Sequence, residues 1–166
     1  MRNRFDRQLH LLDEQLTHMG ELCETAIAKA TQALKDGSIE QAKVIIAEDE
    51  EIDQIEKDIE RLCLKLLLQQ QPVAKDLRRI SAALKMITDM ERIGDQASDI
   101  AEIIGLLNGR IGTDAQYICQ MAVAAMRMVT ESVEAYVKRD VAMAEATIQH
   151  DDVVDDLFLK VKESLI

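Results

Sequence analysis

Apolar residues recur at steps of three and four along most of the chain, which is the pattern of helices that bury one face. A short Asp-Gly-Ser stretch, a Gln-Pro pair and an Asn-Gly pair interrupt the pattern, and each is typical of a helix boundary. The pattern predicts five long helices, over about residues 4–35, 39–69, 73–107, 115–138 and 140–166. The chain is therefore expected to be all-α.

An internal repeat relates the two parts of the chain. Sliding the sequence on itself by 102 residues aligns apolar positions and pairs identical residues: Met19 with Met121, Ala33 with Ala135, Ala42 with Ala144, Ile46 with Ile148, Asp49 with Asp151, and Asp53 with Asp155. This repeat predicts tandem antiparallel three-helix bundles. Residues 1–108 would form the first bundle and residues 113–166 a truncated second bundle of two helices.

The truncation has an expected consequence for assembly. The counterpart of helix three would fall beyond Ile166, so the chain is expected to be a fragment or to lack part of the protein. Helices four and five would then expose apolar side chains to water. A homo-oligomer, with a dimer as the simplest case, is the expected way to cover them.

Composition and net charge narrow the classes of function that the chain can have. The net charge of −11 and pI of about 4.7 argue against nucleic-acid binding and suit cation binding or simple solubility. Cys23, Cys63 and Cys119 form no CxxC pair and lie in apolar helical patterns, as expected for reduced thiols in a cytosolic protein. Neither a signal peptide nor a run of about 18 uncharged apolar residues is visible.

Helix three carries a column of carboxylates. Glu91, Asp95 and Asp99 are spaced four residues apart, so each lies about one turn from the next. The column could be an exposed stripe in which Arg92 screens Asp95, or it could need protonation, basic partners or a cation. Gly94 favours a close approach to this helix, because glycine inside a helix costs about 1 kcal/mol relative to alanine.

A second pair of acids lies on helix two. Asp49 and Asp53 are also four residues apart, and Asp49 falls on the apolar seam of its helix. Acidic residues at such positions in two helices favour one shared metal site. Sites built only from carboxylates favour hard cations such as Mg²⁺, Mn²⁺ or Ca²⁺, with iron also possible.

Several separated motifs resemble, in the right order, those of the PhoU family of phosphate-signalling helical proteins. They are RNRFDRQLHLL (residues 2–12), AEDEEID (47–53), QQPVAKDLRRI (70–80) and ERIGD followed by AxxI (91–100). The resemblance covers essentially the whole chain. The chain departs from the family at Asp99, where asparagine is common, and this leaves the number of metal ligands open.

The resemblance implies a metal site and a regulatory function. Divalent metal (Mg, Mn, Fe or Zn) would bind through the pairs Asp49–Asp53 and Glu91–Asp95, with Asp151–Asp155 serving the second repeat. The chain would be a cytoplasmic, non-enzymatic regulator of phosphate uptake. It would restrain phosphate-starvation signalling by contacting a sensor histidine kinase and the ATPase of the phosphate ABC transporter.

Two alternatives stay open: a carboxylate-bundle enzyme or metal-storage protein, and a plain helical scaffold with a solvated acidic stripe. The residues give the enzyme little support. No Glu-x-x-His pair of the di-iron kind occurs, the three histidines are scattered, and no glycine-rich phosphate loop is present.

Overall fold

The structure is a computed structural model that describes residues 2–69, 72–110 and 115–164. Nearly all of them are helical, which confirms the all-α fold. The helices are α1 (Arg2–Asp36), α2 (Ile39–Gln69), α3 (Ala74–Leu106), α4 (Gln116–Lys138), α5 (Val141–Gln149) and α6 (Asp151–Ser164). The predicted boundary between the repeats, residues 109–112, lies partly outside the described residues.

A tight turn at Gly37–Ser38 folds α2 back along α1. Gly37 has φ +61°, a left-handed conformation that favours glycine, and the Ser38 amide donates to the Ala33 carbonyl at 3.1 Å. The Ser38 hydroxyl accepts from the Gln41 amide at 3.2 Å and so caps α2. The helix boundary predicted at the Asp-Gly-Ser stretch is therefore confirmed.

Helices α1, α2 and α3 form the first bundle. Its core consists of aliphatic residues, methionines and two cysteines at the predicted three-to-four spacing. The largest side chains buried there are Leu12, Leu16, Met19, Cys23, Ile59, Cys63, Leu66, Ile80 and Ile104. Alanines extend the core toward the Gly37 end of the bundle.

Helix α4 packs along α1 and ties the second repeat to the first. Val133 is buried within the core of the first bundle. The Tyr136 hydroxyl donates to the Arg79 carbonyl of α3 at 2.9 Å. Ser132, which precedes Val133 on α4, is exposed. Residues on the Val133 side of α4 are buried instead, because this side faces α1.

An ion pair lies under this junction. Arg79 of α3 donates to Asp13 of α1, and the two side chains are only 12% and 13% exposed. Burial by itself would lower the Arg79 pKa, but the hydrogen bond and charge of Asp13 raise it overall. Arg79 therefore stays charged, and the pair joins α1 to α3 beside Tyr136.

The predicted fifth helix is interrupted at His150, which separates α5 from α6. The His150 amide hydrogen bonds both to Ala146 and to Thr147, which tightens the last turn of α5. Both helices pack on α4 and on each other, and on none of α1, α2 or α3. None of the described helices is long and apolar enough to cross a membrane.

Candidate metal centre

Three carboxylates meet in the groove between α2 and α3. Asp49 and Asp53 lie one turn apart on α2, and Asp95 faces them from α3. One oxygen from each of the three lies within 4.8 Å of the others. Asp49 and Asp53 are partly buried and Asp95 is exposed, so the group sits at the rim of the groove.

Gly94 makes this arrangement possible. A Cβ atom on Gly94 would lie 2.9 Å from Ile52 Cδ1 and 3.0 Å from Asp49 Oδ1. Both distances are shorter than an ordinary van der Waals contact. The predicted close approach at Gly94 is confirmed: α2 packs onto the bare backbone of α3 and brings Asp49 next to Asp95.

The carboxylates lack counter-charges. No ion pair in the described part of the chain includes Asp49, Asp53 or Asp95. In the alternative of an exposed stripe, Arg92 would screen Asp95, but Arg92 pairs with Asp89 at 3.8 Å. Arg92 is exposed and turned toward the preceding turn of α3.

The pKa values of the cluster are raised first by burial and then by repulsion between like charges. Burial, followed by the charges of Asp95, Asp53 and Asp99, raises the pKa of Asp49. Burial, followed by the charges of Asp95, Glu56, Asp53 and Asp49, also raises the pKa of Glu91. A raised pKa means that the folded protein holds protons at these groups more tightly than the unfolded chain does. Any cation that replaced those protons would relieve the repulsion.

Two oxygen atoms of the cluster are buried without a partner. Asp49 Oδ1 and Asp53 Oδ1 have no hydrogen bond to any described residue. A buried acceptor left without a partner costs about 1–3 kcal/mol, and more when it is charged. Oxygen ligands lie about 2.0–2.6 Å from Mg²⁺ or Ca²⁺, so two ligands of one ion are at most about 5 Å apart. The three carboxylates therefore fit a hard divalent cation.

The remaining predicted ligands fall into two groups. Glu91 and Asp99 belong to the same acidic groove, because both influence the pKa values of the cluster or are influenced by it. Asp151 and Asp155 are exposed on α6, where no third metal-ligating group of the described residues joins them. The metal site of the second repeat stays a prediction.

The sequence-based ligand set omitted Glu56. This residue is partly buried on α2. Its pKa is raised by burial and then by the charges of Glu60, Asp53 and Asp95. Its position on the apolar seam, three residues after Asp53, was the available signal. Glu56 extends the acidic groove by one turn beyond the cluster.

Comparisons with known proteins agree with the fold. A family profile described as "PhoU domain" matches residues 16–104 and 118–166. A "Phosphate-specific transport system accessory protein PhoU homolog" from Clostridium acetobutylicum is 37% identical over 164 residues, which are 98% of this chain and 75% of the relative. The homologue of the same name from Aquifex aeolicus is 36% identical over 96% of this chain and 73% of its own length.

Two solved structures superpose on nearly the whole of this chain. The crystal structure of PhoU from Pseudomonas aeruginosa superposes with a TM-score of 0.87 at 30% identity, covering 97% of this chain and 78% of that chain. The phosphate transport system regulatory protein PhoU from Streptococcus pneumoniae gives 0.88 at 27% identity, covering 96% and 76%. The relatives are named as accessory or regulatory proteins of phosphate transport, and not as enzymes. By its profile match, its relatives and its fold, the chain belongs to the PhoU family.

Proposed function

We propose that this protein is a metal-binding regulator of phosphate uptake. It binds a divalent cation in the α2–α3 groove and restrains phosphate-starvation signalling in the cytoplasm. It does so by contacting a sensor histidine kinase and the ATPase of the phosphate ABC transporter, and it performs no catalysis itself. The relatives' names support the link to phosphate transport.

The observation that carries the metal proposal is the unpaired cluster itself. Asp49, Asp53 and Asp95 converge without a basic partner, and two of their oxygens are buried without a hydrogen bond. Folding brings these charges together at a cost, and a bound cation offsets that cost. Since the cluster joins α2 to α3, its occupancy would also set how firmly the two helices are held together.

The regulatory role can be tested in bacteria that lack their own PhoU-family protein and carry a reporter for phosphate-starvation genes. The parent protein should lower reporter output in phosphate-rich medium. The Asp49→Asn, Asp53→Asn, Asp95→Asn triple variant should leave the reporter high at equal protein abundance. The matched control, Asp152→Asn with Asp156→Asn at exposed residues of α6, should repress like the parent.

Contact with the partners needs a separate measurement. Purified parent protein should bind the cytoplasmic part of the kinase and the transporter ATPase in pull-down assays, and binding to either should weaken in the triple variant. Repression by a triple variant that folds normally would contradict the metal-dependent part of the proposal. Absence of repression by the parent would contradict the regulatory role as a whole.

A further inference from the structure

A polar cavity lies at the end of the first bundle where α1 and α3 begin and α4 ends. Its volume is about 330 Å³, and its charged lining consists of Lys75, Arg79 and Arg139 together with Asp6, Asp13 and Asp76. The helical rise between Arg79 and Asp95 places the cavity about 24 Å from the carboxylate groove. The cavity is therefore separate from the candidate metal centre.

Two of the lining residues each keep a buried polar atom without a partner. Arg79 donates to Asp13 through Nη2 and Oδ2, and both side chains are largely buried. This hydrogen bond leaves Arg79 Nε and Asp13 Oδ1 buried with no hydrogen bond to any residue that the structure describes. A buried donor or acceptor without a partner lowers the stability of the fold. One group that both accepts and donates a hydrogen bond would satisfy the two atoms together.

The other two cations of the cavity are exposed and available to a ligand. Among the residues that the structure describes, neither Lys75 nor Arg139 has a carboxylate in ion-pair contact. Lys75 lies in the first turn of α3, where the helix dipole adds positive potential. Arg4 and Arg7 are exposed at the same end of the bundle. These charges favour anions locally, although the chain as a whole has a net charge of −11.

Arg139 has a backbone conformation that favours glycine. It ends α4 with φ 58° and ψ 39°, in the left-handed region, where a side chain is strained. The helix end needs no side chain here, because it is closed by backbone hydrogen bonds such as that from the Arg139 amide to the Tyr136 carbonyl at 3.2 Å. The Arg139 side chain lines the cavity instead. A ligand in the cavity explains arginine at this position, whereas the turn alone does not.

We propose that this cavity binds inorganic phosphate in a protonated form. Lys75, Arg79 and Arg139 donate hydrogen bonds to its charged oxygens, and its P–OH group donates to Asp13 Oδ1. The carboxylates of the lining repel an anion without a proton, so sulfate is rejected at neutral pH. A phosphate monoester loses its second proton at about pH 6, whereas inorganic phosphate keeps at least one proton at pH 7. Asp13 therefore selects inorganic phosphate.

The inference goes beyond the proposed function, because it gives the regulator a phosphate site of its own that needs no metal. The bound ion would join α3, through Lys75 and Arg79, to the turn between α4 and α5, through Arg139. Phosphate would thus hold the second repeat more firmly against the first bundle.

Equilibrium dialysis of the full chain against radiolabelled phosphate or sulfate, at pH 7 and in excess chelator, tests the site. The parent should bind phosphate with a dissociation constant of about 1 mM or lower. Sulfate should bind at least about tenfold more weakly, because it leaves Asp13 Oδ1 without a partner. The Asp49→Asn, Asp53→Asn, Asp95→Asn variant should bind phosphate like the parent. The chelator and this variant separate the result from metal binding in the α2–α3 groove.

Variants of the lining assign the roles of its residues. Lys75→Gln should weaken phosphate binding about three- to tenfold. Its matched control is Lys85→Gln, at an exposed residue farther along α3, and it should bind like the parent. Arg139→Gly should weaken binding by a similar factor and yet raise the melting temperature by about 2–4 °C, because it relieves the left-handed strain.

Asp13→Asn tests the selectivity. The asparagine amide can donate to an oxygen of sulfate, so this variant should bind phosphate and sulfate to within about twofold of each other. Circular dichroism should show parental helicity in every variant that is compared.

Other outcomes would overturn the inference. A parent that binds no phosphate at 10 mM, about ten times the expected dissociation constant, would show that water alone fills the cavity. Equal binding of phosphate and sulfate by the parent would reveal only a non-selective anion site. Unchanged phosphate affinity in both Lys75→Gln and Arg139→Gly would place the binding elsewhere. None of these results would bear on metal binding by Asp49, Asp53 and Asp95.

Discussion

Replacing Gly94 with alanine is expected to destabilise the protein, although alanine is the better helix former. The helix-propensity gain is about 1 kcal/mol. Against it stands a methyl group placed 2.9 Å from Ile52 Cδ1 and 3.2 Å from Ile52 Cγ2, with Asp49 Oδ1 at 3.0 Å. Overpacking of this kind costs about 1–3 kcal/mol. The net loss should be about 1 kcal/mol.

The contact with Ile52 makes the magnitude testable by a double-mutant cycle. Ile52→Val removes Cδ1, the closest atom, and should cost about 0.5–1.5 kcal/mol by itself. In the double variant the new methyl group occupies the space that Cδ1 has left. The two losses should therefore fall short of additivity by about 1–2 kcal/mol, whereas independent sites add to within about 0.5 kcal/mol.

Urea denaturation followed by circular dichroism measures all four members of the cycle. Gly105→Ala is the matched control on the same helix, because nothing lies within 4 Å of the added Cβ. It should leave stability unchanged or raise it by up to about 1 kcal/mol. If Gly94→Ala behaves like Gly105→Ala, or if the cycle is additive, the close approach of α2 to Gly94 is refuted.

Two further predictions concern ionisable groups. The pKa values of Asp49 and Glu91 lie above their ordinary 3.8 and 4.5, so these groups hold more protons in the folded state than in the unfolded state. In the presence of a chelator, they should therefore add to the free energy of unfolding as pH falls from 7 toward 5. Thermal unfolding at several pH values should show this rise, and an Asp49→Asn, Glu91→Gln variant should show a flatter profile; an equal slope in both would contradict it. Arg79→Leu should lower the free energy of unfolding by about 3 kcal/mol because it leaves Asp13 buried without a partner, whereas adding Asp13→Leu should recover part of the loss. Urea unfolding measures both variants, and a double variant that is less stable than the single one would contradict the pairing.

The sequence predicted the helices well because their signals are local. The three-to-four spacing of apolar residues and the cap at Gly37–Ser38 act within one or two turns. Burial on α4 depends instead on a distant neighbour. Both the Met121 side and the Val133 side of α4 are apolar, and periodicity alone does not tell which of the two packs against α1.

The candidate site likewise has some features that local sequence spacing predicted and others that depend on distant neighbours. Asp49, Asp53 and Asp95 were predicted because carboxylates four residues apart share one side of a helix. The counter-charges depend on which rotamers the packed helices allow, so the sequence alone does not show that Arg92 pairs with Asp89 rather than with Asp95. The pair of Asp13 and Arg79 joins residues that are far apart in sequence, and no local pattern marks it.

Manganese binding tests the central claim most directly. Calorimetric titration of the metal-free parent with Mn²⁺ at pH 7 should show binding. The Asp49→Asn, Asp53→Asn, Asp95→Asn variant keeps the shape of the three side chains but removes their charge, and it should lose that binding. Binding of equal affinity and stoichiometry in the triple variant, with parental helicity, would contradict the claim that these three carboxylates hold the metal.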